Sequence, residues 1–248
     1  MVKLCALILA ILAAQPDIQD ASPSPELKPL LPGIKLADGV VEFRGEIAVD
    51  AHHPETPNVY LEMLVTAPNS REHESLIVSP IKPSSLHAAL LAAGLEPGRP
   101  LNRDGDGNTI PATGDDVIVL VSLVDDDGEP GEFIPLVDWA IHVDDDSPLV
   151  EANNWEGLVF AGSKLTHRGY AADLGGTLVS LTPFGDEVVS PVWTVSHRAE
   201  INEPVWIANR HLLPKQGTLV VVRIEAAKDE PEPTESHEPE RIDIDRDP

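Results

Sequence analysis

One stretch, Arg71–Gly98 with the sequence REHESLIVSPIKPSSLHAALLAAGLEPG, constrains the fold more than any other. It runs from a dense polar cluster through a short strand into one clean helix. Ser84 or Ser85 is the expected helix cap, and Leu86, Leu90 and Ala93 recur at helical spacing over about residues 84–93. Gly94 stands where a helix ends in left-handed backbone. No other segment offers a helix of this quality, so the rest of the core is built from strands.

Val41, Phe43, Gly45 and Ile47 alternate with Glu42, Arg44, Glu46 and Ala48, the period of a half-buried strand. Gly45 marks a bulge or a close approach of another backbone. Val59–Thr66 is a second strand. Val117–Val124, VIVLVSLV, is nearly all apolar and reads as a central strand covered on both faces. Leu158–Ala161, Thr177–Leu181, Val188–Val195 and Thr218–Ile224 complete the set. The expected architecture is α+β: one strand-rich domain over residues 34–225, a mostly antiparallel or mixed sheet with the helix covering one face.

Both flanks differ in composition. Residues 1–14 join a basic start to the short apolar run LCALILAILAA. A bilayer span needs about 20 such residues, so this is a secretory signal peptide cut near Ala14, which places the mature chain outside the cytoplasm without a membrane span. Residues 15–33 carry five prolines and read as an extended linker. Residues 226–248 carry nine acidic residues and four prolines and read as a disordered acidic tail.

Cys5 is the only cysteine, and it falls in the signal segment. A mature chain without it excludes disulfides, thiolate zinc sites, thiol nucleophiles and iron–sulfur clusters. Asp and Glu number 42 against 17 Lys and Arg, a net charge of −25, with no basic cluster. Phosphate backbones and anionic lipid repel such a chain, so neither nucleic acid nor a membrane surface is an expected partner.

The motifs His73-Glu74-Ser75-Leu76, Pro83-Ser84-Ser85-Leu86-His87-Ala88-Ala89-Leu90 and Gly94-Leu95-Glu96-Pro97-Gly98 resemble the YdjY domain, a family of exported bacterial proteins without an assigned biochemistry. Further matches are Phe160-Ala161-Gly162-Ser163, Tyr170-Ala171-Ala172-Asp173 and Gly176–Leu181. The resemblance covers most of residues 40–225 and implies a fold and a compartment, but no activity. The loop Leu101–Pro111 departs from it as an expansion. The ferredoxin-like label attached to the family finds no support in a chain without thiolates.

His73-Glu74 invites comparison with the zinc-protease pattern H-E-x-x-H, but position five is Ile77 and a strand follows. His73, Glu74 and His87 flank one short strand and form a candidate ligand pocket with Ser163 and Asp173. A hydrogen-bonded turn at Arg71–Glu74 is the competing reading. Asp104, Asp106, Asn108 and Asp115 match positions 1, 3, 5 and 12 of a calcium loop, although Thr109 replaces the required glycine and no helix flanks it. An Asp-Gly turn competes with weak calcium binding there. Ser163 lacks a nucleophile elbow, and no phosphate-cradling glycine motif is present.

The leading functional reading is a non-enzymatic extracytoplasmic binding or interaction module for a protein or small molecule. The alternative is a metal-assisted hydrolase or other enzyme with His73, Glu74 and His87 at its site. No cofactor is firmly implied; a divalent cation is a candidate, and an iron–sulfur cluster is excluded.

Overall fold

The computed structural model describes residues 26–56, 58–152, 155–193 and 205–227. The signal segment, the acidic tail from residue 228 and the end of the strand expected over Val188–Val195 lie outside them.

Ten strands carry the architecture: β1 Lys28–Leu31, β2 Ile34–Ala37, β3 Val40–Ile47, β4 Met63–Thr66, β5 Ser75–Val78, β6 Asp116–Leu123, β7 Leu158–Phe160, β8 Thr177–Ser180, β9 Val189–Pro191 and β10 Leu219–Ala226. Two helices join them, α1 Pro83–Ala92 and α2 Ala171–Gly175. From β3 the sheet runs through β10, β6, β7, β9, β8, β4 and β5, and β5 pairs back onto β3. The sheet is therefore a closed barrel of eight strands. The β8–β9 and β4–β5 pairings are parallel and the other six antiparallel.

Closure corrects the expectation of an open sheet with a helix on one face. The strand-rich α+β content stands, but closure rests on a pairing that no local pattern announces. Glu46 and Ile47 of β3 pair with Val78 and Ile77 of β5, while Val40–Phe43 pair with β2. The same edge of β3 thus forks near Gly45. A Cβ on Gly45 would lie 2.6 Å from Ile77 Cγ2 and 2.9 Å from the Val78 carbonyl. The register with β10 runs unbroken through this position, so Gly45 is a close-approach site rather than a bulge.

β6 corrects a second expectation. Val117, Val119 and Val121 are buried, but Ile118 and Leu123 are 38% and 47% exposed. A barrel strand has one face inward and one outward, so this run is not covered on both sides. The proline-rich stretch is corrected as well, because its last part is β1, paired with β2 across a Pro32-Gly33 turn in which Gly33 has φ +78°. β1 is the sheet's outer edge, where proline is tolerated.

The interior is one main cluster, with a small second one at Ala112, Val159 and Ala161. Phe43, Val41, Val119, Val121, Phe160, Leu178, Val220 and Val222 belong to the main one with Leu86, Ala89 and Leu90 of α1. Full burial of such a side chain contributes roughly 1.5–3 kcal/mol. α1 ends as expected: Gly94 N–H donates to the Leu91 carbonyl at 3.0 Å and Leu95 N–H to Leu90 at 3.1 Å, with Gly94 at φ +91°. Its start differs from expectation. The cap residue is Lys82 with Pro83 at the first helical position, and it makes no side-chain capping bond. The expanded loop carries a small hairpin, with Asn102–Arg103 against Thr109–Ile110. Among the described residues, no helix is long and apolar enough to cross a membrane.

Candidate functional site

The five candidate pocket residues fall into two clusters, one before β5 and one after it. His87, Ser163 and Asp173 form the second. The corner after β7 turns through Gly162 and Ser163, with φ +78° and +54°. A Cβ on Gly162 would lie 2.6 Å from Pro97 Cβ and 3.2 Å from His87 Cε1. Glycine lets α1 and this corner touch. Ser163 Oγ donates to the Asp186 carbonyl at 2.5 Å and accepts from Ala172 N–H at 3.1 Å. That hydroxyl is committed to holding the corner against α2.

His87 packs edge-on against the rings of Phe160 and Tyr170. Tyr170 Oη donates to the Gly162 carbonyl at 3.0 Å and lies 2.9 Å from His87 Nδ1. With the phenol proton committed to Gly162, Nδ1 carries the imidazole hydrogen and donates it. Burial lowers the His87 pKa, against a smaller opposing effect from the Gly162 carbonyl. Burial likewise raises Tyr170. Asp173 supplies what the start of α1 lacks: Oδ1 accepts from Ser84 N–H at 2.8 Å and Oδ2 from Ser84 Oγ at 2.7 Å. A carboxylate from α2 thus caps α1, where the helix dipole favours negative charge.

His73 and Glu74 lie in the other cluster. They belong to the 3-10 turn Glu72–Glu74 that feeds β5. The Glu72 carboxylate shapes the turn by accepting the N–H groups of Asn69 and Ser70. Arg71 Nη1 lies 3.0 Å from Glu74 and 3.6 Å from Glu62, and the guanidinium stacks 3.9 Å over the Phe184 ring. Glu62 N–H donates to the Glu74 carbonyl at 3.0 Å, and the two carboxylates flank the Arg71 guanidinium. Burial, then the Glu74 charge, pushes Glu62 up from 4.5 to about 7, with Arg71 opposing. His73 is 79% exposed, with Nε2 3.7 Å from Glu74.

His73 and Glu74 form one wall of an open groove of about 710 Å³, which Asp50, His53, Asn58 and Tyr60 complete. A second cavity of about 670 Å³, lined by Arg44, Glu46, Glu72, Pro68 and Leu219, adjoins it. The two share Ala48 and Gln216. Sequence reasoning reached His73 and Glu74, and Arg71 as part of a hydrogen-bonded turn, but missed Glu62 and Tyr60. Glu62 carried one signal, a lone charge inside the apolar run Leu61–Val65.

Glu187 was also missed. It is fully buried, and one carboxylate oxygen accepts the N–H groups of Phe184, Gly185 and Asp186 at 2.8–3.0 Å while the other accepts from Ser190 Oγ. It fixes the turn that carries Phe184 beneath Arg71.

The calcium-like loop is an Asp-Gly turn in its internal bonding. Asp104 Oδ1 accepts the N–H groups of Asp106 and Asn108, and Oδ2 accepts from the Asn108 amide. Asp115 instead binds Glu96 N–H at 2.8 Å. Among the described residues, no group of three His, Cys, Asp or Glu side chains is arranged to hold a metal ion.

Three family motifs therefore meet at one knot: the His87 helix, the Gly162-Ser163 corner and the Tyr170–Asp173 turn. Neither the curated proteins nor the solved structures include a match to this chain. The family model of the YdjY domain matches residues 35–225, and the chain belongs to the YdjY-domain family.

Proposed function

We propose that the protein is an extracytoplasmic binding module whose site is the groove beside His73 and Glu74. One observation carries the reading. In the knot, His87, Ser163 and Asp173 are committed to internal hydrogen bonds, whereas His73 and Tyr60 stand 79% and 44% exposed along an open groove. Polar groups around an aromatic ring in a concave surface are what a binding site offers. The N-terminal pattern of a basic start and a short apolar run supports export. The net charge of −25 supports a partner other than nucleic acid or anionic lipid.

A thermal-shift panel of peptides, sugars, small metabolites and divalent metals tests this, because whatever binds only the native state raises its melting point. A ligand that stabilises wild type but not Tyr60→Ala or His73→Ala is the expected result. Hits that act equally on all three proteins would remove the groove. Intact-mass measurement of the exported form should show a start near Gln15, and full-length chain retained in the cytosol would count against export.

The enzyme reading draws on the Glu62–Glu74 pair, since perturbed carboxyl pairs also serve as acid and base. Turnover of any panel compound, lost in Glu62→Gln, would favour it.

A further inference from the structure

We propose a second binding site, on the outer face of the barrel where β2, β3 and β10 lie side by side, which takes a small zwitterion with an aliphatic body: an α-amino acid of the leucine class. The site shares no lining residue with the groove beside His73 and does not depend on it. Three observations carry it.

The first is a walled cavity. Val41 and Phe43 belong to the core, so Glu42 and Arg44 face outward from β3. The register sets Lys35 and Arg223 on either side of Glu42, and Val221 beside Arg44. Two segments outside the barrel wall this patch in. β1 supplies Pro29 and Leu31, and the loop after β6 supplies Glu129 and Pro130. Arg44 Nη2 holds that loop by donating to the Gly128 carbonyl, and Val124 bridges to Pro130. The space is about 290 Å³ and opens to solvent. A water molecule's share of the liquid is about 30 Å³, so there is room for about ten non-hydrogen atoms.

The second is an unused acceptor. Glu42 is 5% exposed, and its Oε1 takes both Arg223 contacts, 2.8 Å from Nε and 2.6 Å from Nη2. Oε2 has no hydrogen-bond partner among the described residues, and Glu42 lines the cavity. A nearly buried acceptor without a partner calls for a donor from outside the fold. The third is the balance of charge. Lys35 and Arg44 line the cavity with Glu42 and Glu129. Lys35 makes no ion pair among the described residues, and Arg223 already offsets Glu42. A bare anion is repelled by the two carboxylates, and a bare cation by Lys35 and Arg44. A molecule with both charges avoids both repulsions. Its ammonium donates to Glu42 Oε2, its carboxylate lies toward Lys35 and Arg44, and its aliphatic chain covers Leu31, Ile34 and Val221.

The test is calorimetric titration of the full chain with free leucine, isoleucine and valine. At least one of them should bind with a single site per chain. Isocaproate, which is leucine without its ammonium, and isoamylamine, which is leucine without its carboxylate, should each bind about tenfold more weakly or worse, the scale of one charged hydrogen bond. Lys35 is exposed and unpaired, so Lys35→Glu should melt as wild type does. It should weaken leucine by about tenfold and narrow the gap between leucine and isoamylamine. Glu42→Gln should lose the preference for leucine over isocaproate. Arg223 loses its counter-charge in that variant, so Lys35→Glu decides the matter if Glu42→Gln does not fold.

Failure of all three amino acids to bind overturns the inference. So does isocaproate or isoamylamine binding as tightly as leucine. Leucine binding that Lys35→Glu leaves unchanged rejects this site, and if Tyr60→Ala then abolishes it, the amino acid belongs to the groove.

Discussion

The Tyr170 hydroxyl lies 2.9 Å from His87 Nδ1 and 3.0 Å from the Gly162 carbonyl, so one phenol ties α1 to the corner after β7. Tyr170→Phe keeps the ring and removes the tie. It leaves a half-buried imidazole N–H and a carbonyl without their partner. Leaving such groups unpaired costs about 1–3 kcal/mol. Urea unfolding should show that loss with an unchanged denaturant slope. A neutral result would mean that water takes over both groups and that the knot is looser than its geometry.

Asp173 caps a helix to which it does not belong. Asp173→Ala should cost about 0.5–2 kcal/mol, the range for losing an N-terminal cap. Asp173→Asn keeps the acceptor oxygen and should recover most of it. Hydrogen exchange of the first turn of α1 should accelerate in the alanine variant and in no comparable way elsewhere.

Gly162→Ala meets two obstacles. The left-handed backbone costs a non-glycine residue about 1–3 kcal/mol, and the new methyl group would press against Pro97 Cβ at 2.6 Å. The loss should exceed that of Tyr170→Phe in the same unfolding experiment. An alanine variant as stable as wild type would show that the 97–99 segment can move away freely.

Glu62 makes stability depend on pH in a set direction. Below about 4.5 the carboxyl is neutral in both states. Between 4.5 and 7 the unfolded chain ionises while the folded group keeps its proton, so stability falls as pH rises, and the fall ends near 7. His87 acts oppositely: its lowered pKa gives stability that is present above 6.5 and lost as pH drops below it. Melting curves of wild type and Glu62→Gln across pH 4–8 separate the two. Glu62→Gln should remove only the component that falls with rising pH. Its slope is at most about 1.4 kcal/mol per pH unit, and less here because the group keeps contact with water.

The sequence was legible where the cause is local. Gly94 ends α1 because left-handed backbone is a property of the residue itself, and the alternation of β3 appears in its burial. Illegibility begins where the cause is distant. Ser84 was the natural cap by its neighbours, yet the capping oxygen comes from Asp173, 89 residues later. Glu42 fitted an exposed strand face, yet it is buried beneath Arg223, 181 residues away, with Oε1 2.8 Å from Nε and the guanidinium 3.8 Å from the Phe133 ring. Glu62 could not be matched with Arg71 and Glu74 before β4 and β5 were known to lie side by side. Barrel closure is the extreme case, since one fork in β3 decides it.

That closure fixes an order of events. The stave that completes the wall, β10, is the last strand among the described residues, and it lies between β3, among the first, and β6. Until residues 219–226 are at hand, β3 and β6 each present an open edge with no permanent neighbour. Pairings this far apart in sequence form slowly, and open edges recruit other chains while they wait. Two sticky seams must therefore stay apart until residues 219–226 are at hand, and a chain cut short before residue 219 should clump rather than fold.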